Sequence, residues 1–166
     1  MARTAHDTEV EMTQDAVQTV EAVVRDKASD QLISVAASAT VAEAVETMTR
    51  HDVGAVLIVT EDGLVGGILT ERDLLVRVVH AGRDPRTTPI SLVMTRDVQF
   101  VSPGTTGEAA LSLMHIQRHR HLLVIDGPQV FGLVSMRDLV HRMIRHGQGR
   151  FEAAVRQAGG VRPEAG

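Results

Sequence analysis

The sequence predicts a mixed α/β fold of the α+β kind: two pseudo-symmetric β-α-β-β-α units packed as one module. Three observations predict it. The stretch Gly67-Ile-Leu-Thr-Glu-Arg-Asp-Leu74 returns as Gly132-Leu-Val-Ser-Met-Arg-Asp-Leu139. The likeness extends well beyond these residues. Thr40, Ala44, Met48 and Val56 correspond to Thr106, Ala110, Met114 and Leu122 at a constant offset of 66, which drops to 65 after the turns at Asp62-Gly63 and Asp126-Gly127. Finally, apolar runs of strand length and stripes of helical spacing alternate in the same order in both copies.

Taken in order, residues 1 to about 15 are polar, acidic and aperiodic, which predicts a mobile arm. Val17, Val20 and Val24 then predict a short helix to about Asp26. Leu32–Val35 reads as a strand. Ser38-Ala-Thr40 offers a cap for a helix through Arg50, with Val41, Ala44, Val45 and Met48 on one stripe. Ala55–Val59 reads as a buried strand, and the Glu61-Asp62-Gly63 turn returns the chain into Leu64–Leu69 as a hairpin. Thr70 opens a helix expected to turn Leu74, Leu75, Val78 and Val79 inward and to end near Gly82. Pro85 and Pro89 make residues 85–92 a stiff linker. The order then repeats: a strand over Val98–Val101, a helix from Thr106 to about Arg118, a hairpin of His121–Ile125 and Val130–Val134, and a last helix from Ser135 carrying Leu139, Val140, Met143 and Ile144. The expected organisation is an acidic arm with a short helix (1–28), a first unit (29–84), a linker (85–92), a second unit (93–146) and a frayed tail (147–166).

Composition narrows the function. Forty-three per cent hydrophobic residues support a real core, which 2% aromatics without Trp or Tyr restrict to aliphatic side chains and Met. Without Cys there are no disulfides, thiolate metal sites or cysteine nucleophiles. The sequence has no signal-like N-terminus and no apolar run of membrane-spanning length, so a cytoplasmic protein with no membrane partner is expected. A net charge of −4 makes nucleic acid an unlikely partner, although six arginines between His115 and Arg150 against Asp126 and Asp138 concentrate positive charge in the second unit. The single lysine, Lys27, reads as a bias of composition toward arginine.

Thr70-x-x-Asp73 and Ser135-x-x-Asp138 occupy equivalent strand-to-helix junctions. A hydroxyl three residues before an acid is first of all a helix-capping pair. Two features add a binding role: the acid is Asp rather than the commoner Glu or Gln, and both copies keep an arginine before it, Arg72 and Arg137. Helix-start amides, a hydroxyl and a guanidinium suit phosphate, and a carboxylate can accept hydrogen bonds from a ribose diol. Histidine offers a rival chemistry: His115 and His119 are spaced i, i+4, with His121, His141 and His146 following. With no carboxylate nearby to complete a set, these read as scattered histidines, and no metal site is expected.

The duplicated pattern resembles a tandem pair of cystathionine-β-synthase (CBS) domains, a Bateman module, of the stand-alone kind. The resemblance rests on His51-Asp-Val-Gly-Ala-Val-Leu-Ile-Val59, Gly67–Leu74, Val93-Met-Thr-Arg-Asp-Val98, Arg120-His-Leu-Leu-Val124 and Gly132–Leu139, and it covers about Ser29 to His146. Leu123 departs from it, standing where the second unit commonly has Pro. The resemblance implies two clefts that take adenine nucleotides (AMP, ADP, ATP) or an adenosyl compound such as S-adenosylmethionine, with no cofactor required. One cleft is expected to combine Ile33, Gly54 and Ala55 with Ser135, Arg137 and Asp138, the other Thr95, Gln99, Arg120 and His121 with Thr70, Arg72 and Asp73. The second has more cationic reach and is expected to be the better phosphate site. The resemblance further implies a homodimer and an unknown regulated protein as partners. No nucleophile–base constellation or Gly-rich phosphate loop is visible, so no enzyme is expected. The alternative is an interaction or structural dimer with vestigial clefts that docks a partner protein.

Overall fold

The computed structural model describes residues 19–27 and 32–146. The expectations for the arm before Thr19, including Val17, and for the tail from Gly147 lie outside the described residues. By contacts the chain divides into two compact units, one contiguous (Ser29–Gln99) and one composite (Met1–Ala28 with Phe100–Gly166).

The contiguous unit is a three-stranded sheet with helices. Strand β1 (Ser34–Ala36) runs parallel to β2 (Ala55–Val59), and β2 runs antiparallel to β3 (Val65–Thr70). Helix α2 (Val41–Arg50) connects β1 to β2. It starts where it does because Thr40 accepts from the Glu43 amide while Glu43 reaches back to the Thr40 amide, so two helix-end donors are satisfied at once. Its stripe is narrower than expected: Val41, Ala44 and Met48 are buried, whereas Val45 lies at the edge. These side chains meet Val56, Ile58, Leu69 and Val78 in one core.

The helix after β3 corrects the sequence expectation. After one α-helical turn, Glu71–Asp73, it continues as a π-helix over Leu74–Val79; together these form α3. The amides of His80 and Arg83 reach back five residues, to the Leu75 and Val78 carbonyls, at 2.9 Å each. The wider turn rotates successive side chains out of 3.6-residue phase. Only Val78, with Leu74 partly, faces the core. Leu75 (62% exposed) and Val79 (69%), expected inward, point outward together with Val76.

The composite unit repeats the plan. Helix α1 (Val20–Arg25) leads in. A sheet follows from β4 (Phe100–Val101), β5 (His121–Asp126) and β6 (Gln129–Ser135), again parallel and then antiparallel. Helix α4 (Gly107–Gln117) is capped by Thr106 and closed by Arg118 in the left-handed conformation, at φ 57°. Helix α5 (Met136–His146) follows β6 directly. Both hairpins shift register at the matching place, between Ile58 and Val59 and between Val124 and Ile125. Leu139 is fully buried here, while Val140 and Met143 are each 41% exposed.

A second correspondence runs through the segments that precede each repeat, at an offset of 70. Thr19 bridges to Thr106 as Pro89 bridges to Thr40. The Val20 amide donates to the Thr105 carbonyl, and the Ile90 amide donates to that of Ala39. Val20 and Val23 are buried in the composite core, Ile90 and Val93 in the contiguous one. The segment expected as a plain linker is therefore partly core: Thr88 is 8% exposed and Ile90 is fully buried in a one-turn 3-10 helix, Ile90–Leu92. Each compact unit thus combines the body of one repeat with the lead-in of the other.

Candidate functional site

Both Ser/Thr-x-x-Asp motifs fold as complete capping boxes. The Thr70 amide and hydroxyl donate to Asp73 Oδ2 (3.0 and 2.7 Å), and the Asp73 amide donates to Thr70 Oγ1 at 3.3 Å. At the second junction the Ser135 amide and hydroxyl donate to Asp138 Oδ2 (2.8 and 2.7 Å), and the Asp138 amide donates to Ser135 Oγ at 3.2 Å. The strand before each hairpin turn holds these residues in place: Ala55 stands opposite Thr70, and His121 opposite Ser135. The Gly54 carbonyl accepts from the Glu71 amide at 3.1 Å, and that of Arg120 accepts from Met136 at 2.9 Å. Gly54 and Arg120 are therefore equivalent backbone positions. An added Cβ at Gly54 would lie 3.1 Å from the Glu71 carboxylate.

The two carboxylates then part company. Asp73 is 9% exposed, and its second oxygen, Oδ1, accepts from the Thr95 hydroxyl at 3.2 Å and lies 3.4 Å from Arg77 Nη1. That guanidinium also donates to the Val93 and Met94 carbonyls, fastening the lead-in. Asp138 receives Lys27 instead, its Nζ 2.7 Å from Oδ2 and donating to the Leu133 carbonyl at 2.6 Å. Oδ1 of Asp138 accepts no hydrogen bond among the described residues. Arg142, four residues after Asp138 as Arg77 is after Asp73, fastens the other lead-in: it donates to the Ala22 carbonyl at 3.3 Å and pairs with Asp26. Burial acts to raise the Asp138 carboxyl. The hydrogen bonds from Lys27 and Ser135, with the Lys27 charge, outweigh it and hold the group below the ordinary carboxylate value.

Of the residues named from the sequence, Ile33, Gly54, Ala55, Thr70, Arg72, Asp73, Thr95 and Gln99 lie in the contiguous unit, and Arg120, His121, Ser135, Arg137 and Asp138 in the composite one. The structure joins Thr70, Asp73 and Thr95 through hydrogen bonds, and likewise Ser135 with Asp138. Arg72 and Arg137 are exposed on the first turns of α3 and α5. Gln99 donates to Asp97 at 3.4 Å, and the Ile33 carbonyl accepts from Leu57 at 3.0 Å. Sequence reasoning missed Lys27, whose place follows from its position two residues past the end of α1 rather than from any motif. Among the described residues no three His, Asp or Glu side chains converge as a metal site. No helix among them is long and apolar enough to cross a membrane.

Comparison with known proteins gives this geometry relatives. The family model "CBS domain" matches residues 20–80 and 90–145. The CBS domain-containing protein YhcV of Bacillus subtilis is 35% identical over 116 residues, covering 70% of this chain and 81% of the relative. A putative signal-transduction protein with CBS domains from Burkholderia ambifaria superposes with a TM-score of 0.73 at 32% identity, over 76% of this chain and 94% of that one. A CBS domain protein from Pyrobaculum aerophilum, solved in complex with AMP, shares the fold at a TM-score of 0.63 and 20% identity, over 72% of this chain and 88% of that one.

Proposed function

The chain belongs to the CBS-domain family, as two domains in tandem, and from that premise we propose that it is a regulatory sensor of adenine nucleotides or a related adenosyl compound. Thr70, Arg72 and Asp73, and Ser135, Arg137 and Asp138, serve ribose and phosphate. Ile33, Gly54 and Ala55, and Thr95, Gln99, Arg120 and His121, serve the base, largely through backbone groups. No step of catalysis is assigned to any of them.

The observation that carries the reading is the repeated junction itself. Both copies hold a carboxylate and a hydroxyl rigidly at a helix start, and at Asp138 one carboxylate oxygen stays unspent. Such an oxygen can accept from a ribose hydroxyl at no cost to the cap. The AMP complex of the P. aerophilum protein supports the choice of ligand class. Thermal unfolding with AMP, ADP, ATP and S-adenosylmethionine tests it: a ligand at about 100 times its dissociation constant stabilises the fold by about 2.7 kcal/mol. No shift with any of the four rejects the reading.

A second reading, a dimer that docks a partner without ligand, draws on the same capping boxes, which are complete as they stand, and on the outward row of Leu75, Val76 and Val79. A homodimer through such apolar faces is compatible with both readings. Light scattering that finds a monomer at micromolar concentration removes it.

A further inference from the structure

We propose that Lys27 is a phosphate-selecting residue of the Ser135–Asp138 end, so that this end prefers the more highly charged adenine nucleotides; the inference rests on the adenosyl reading above. An ammonium carries three N–H donors. Two of Lys27's are directed to the Leu133 carbonyl and to Asp138 Oδ2. The third remains, at a group whose side chain is 34% exposed. Next to it lies the unspent Oδ1 of Asp138. A ribose phosphate needs this combination of one acceptor for a hydroxyl and one cationic donor for an anionic oxygen.

The placement of Lys27 is built rather than incidental. Helix α1 is seated by Val20 and Val23 in the core, by Arg142 on the Ala22 carbonyl and on Asp26, and by Arg25 over the Phe131 ring at 5.6 Å. Gly132 lets α1 approach, since a Cβ there would lie 2.4 Å from Val24 Cγ1. At the first junction the lead-in instead sets the neutral Thr95 hydroxyl against the carboxylate, at 3.2 Å from Asp73 Oδ1. The first copy therefore meets a neutral hydroxyl from its lead-in where the second meets a cation. Asp73 also has no spare oxygen: one is held by Thr70, the other by Thr95 with Arg77 alongside. This reverses the order expected from the sequence, which favoured the Asp73 end for phosphate through Arg120 and His121.

Calorimetric titration of the full chain with adenosine, AMP, ADP and ATP tests the inference, using wild type, Lys27→Met and Lys27→Arg. Lys27→Met is expected to weaken ADP and ATP at least about tenfold, the loss of one charge-assisted hydrogen bond. Adenosine, which carries no phosphate, changes less than about twofold, and Lys27→Arg keeps most of the ATP affinity. An equal loss for adenosine and ATP makes Lys27 only a fastener of α1 and overturns the proposal. Unchanged or tighter ATP binding by Lys27→Met overturns it as well. If wild type binds none of the four, the adenine-nucleotide form of the reading fails and takes the inference with it.

Discussion

The two Ser/Thr-x-x-Asp junctions share a backbone, a capping box and a fastening arginine, yet they differ in what meets the carboxylate. At Asp73 it is the Thr95 hydroxyl, with the Arg77 guanidinium alongside, in a nearly buried setting. At Asp138 it is an ammonium from Lys27, in a more open one. In both cases the lead-in segment of the other repeat delivers the partner. The bodies of the repeats have kept one geometry, and the difference in chemistry comes from the short segments packed against them. A duplicated fold can thus diversify its sites without touching the residues that define the repeat.

Two pairs of substitutions and one single substitution break or sharpen this comparison. The largest effect is expected in the final helices. Leu139 is fully buried, whereas its counterpart Leu74 sits at the start of the π-helical stretch and is only partly covered. Leu139→Ala should cost about 2–5 kcal/mol and Leu74→Ala about 1–2 kcal/mol in urea unfolding. Equal costs would mean that the π-helix does not loosen the contiguous core. The glycines under the lead-ins come next. A Cβ at Gly67 meets the Thr95 carbonyl at 2.7 Å, and one at Gly132 meets the Val24 side chain at 2.4 Å. Both alanine variants should lose about 1–3 kcal/mol by overpacking. Gly67→Ala should lose more, because a backbone carbonyl in a bridged segment yields less than a valine on a one-and-a-half-turn helix; the opposite ranking of melting temperatures would show α1 to be the more firmly seated lead-in.

The smallest effect concerns acid. The Asp138 carboxyl lies below its ordinary value when folded. Its contribution is therefore present above the unfolded value of about 3.9 and is lost as pH falls through the folded one. Lys27→Met removes the hydrogen bond and charge responsible for part of that lowering, so wild type and variant should differ in melting temperature at pH 6 and converge as the pH falls through the folded value. A difference that persists undiminished into acid would assign the Lys27 contribution to the Leu133 carbonyl rather than to Asp138.

Most of the bodies of the repeats were legible in the sequence. Thr40, Thr106, Thr70 and Ser135 mark helix starts by capping chemistry, and the Asp-Gly turns fix both hairpins, because these signals are local. The outward turn of Leu75 and Val79 was not legible, since an apolar stripe reads the same whether the helix runs at α or π spacing. The lead-ins were hidden for another reason. Val20, Val23 and Val24 correspond to Ile90, Val93 and Met94 by size alone, at an offset of 70 rather than 66, and the long-range contacts that reveal them leave no local pattern. Lys27 stood out as the only lysine, but nothing in a linear string pairs it with an aspartate more than a hundred residues away. The side chains of the two junctions were legible as a set of types, whereas the hydrogen-bonded state of each carboxylate was not.

The crossed lead-ins also bear on the order in which the chain acquires structure on the ribosome. The contiguous unit has every segment it needs once Gln99 is made. The composite unit must keep its earliest segment waiting until Leu133, Asp138 and Arg142 emerge, a delay on the order of ten seconds at ordinary rates of synthesis. Through that interval Val20 and Val23 remain apolar and uncovered, so a segment made before the contiguous unit is sheltered after it. A chaperone that recognises short aliphatic segments would meet this lead-in first, and would release it only when the second repeat arrives.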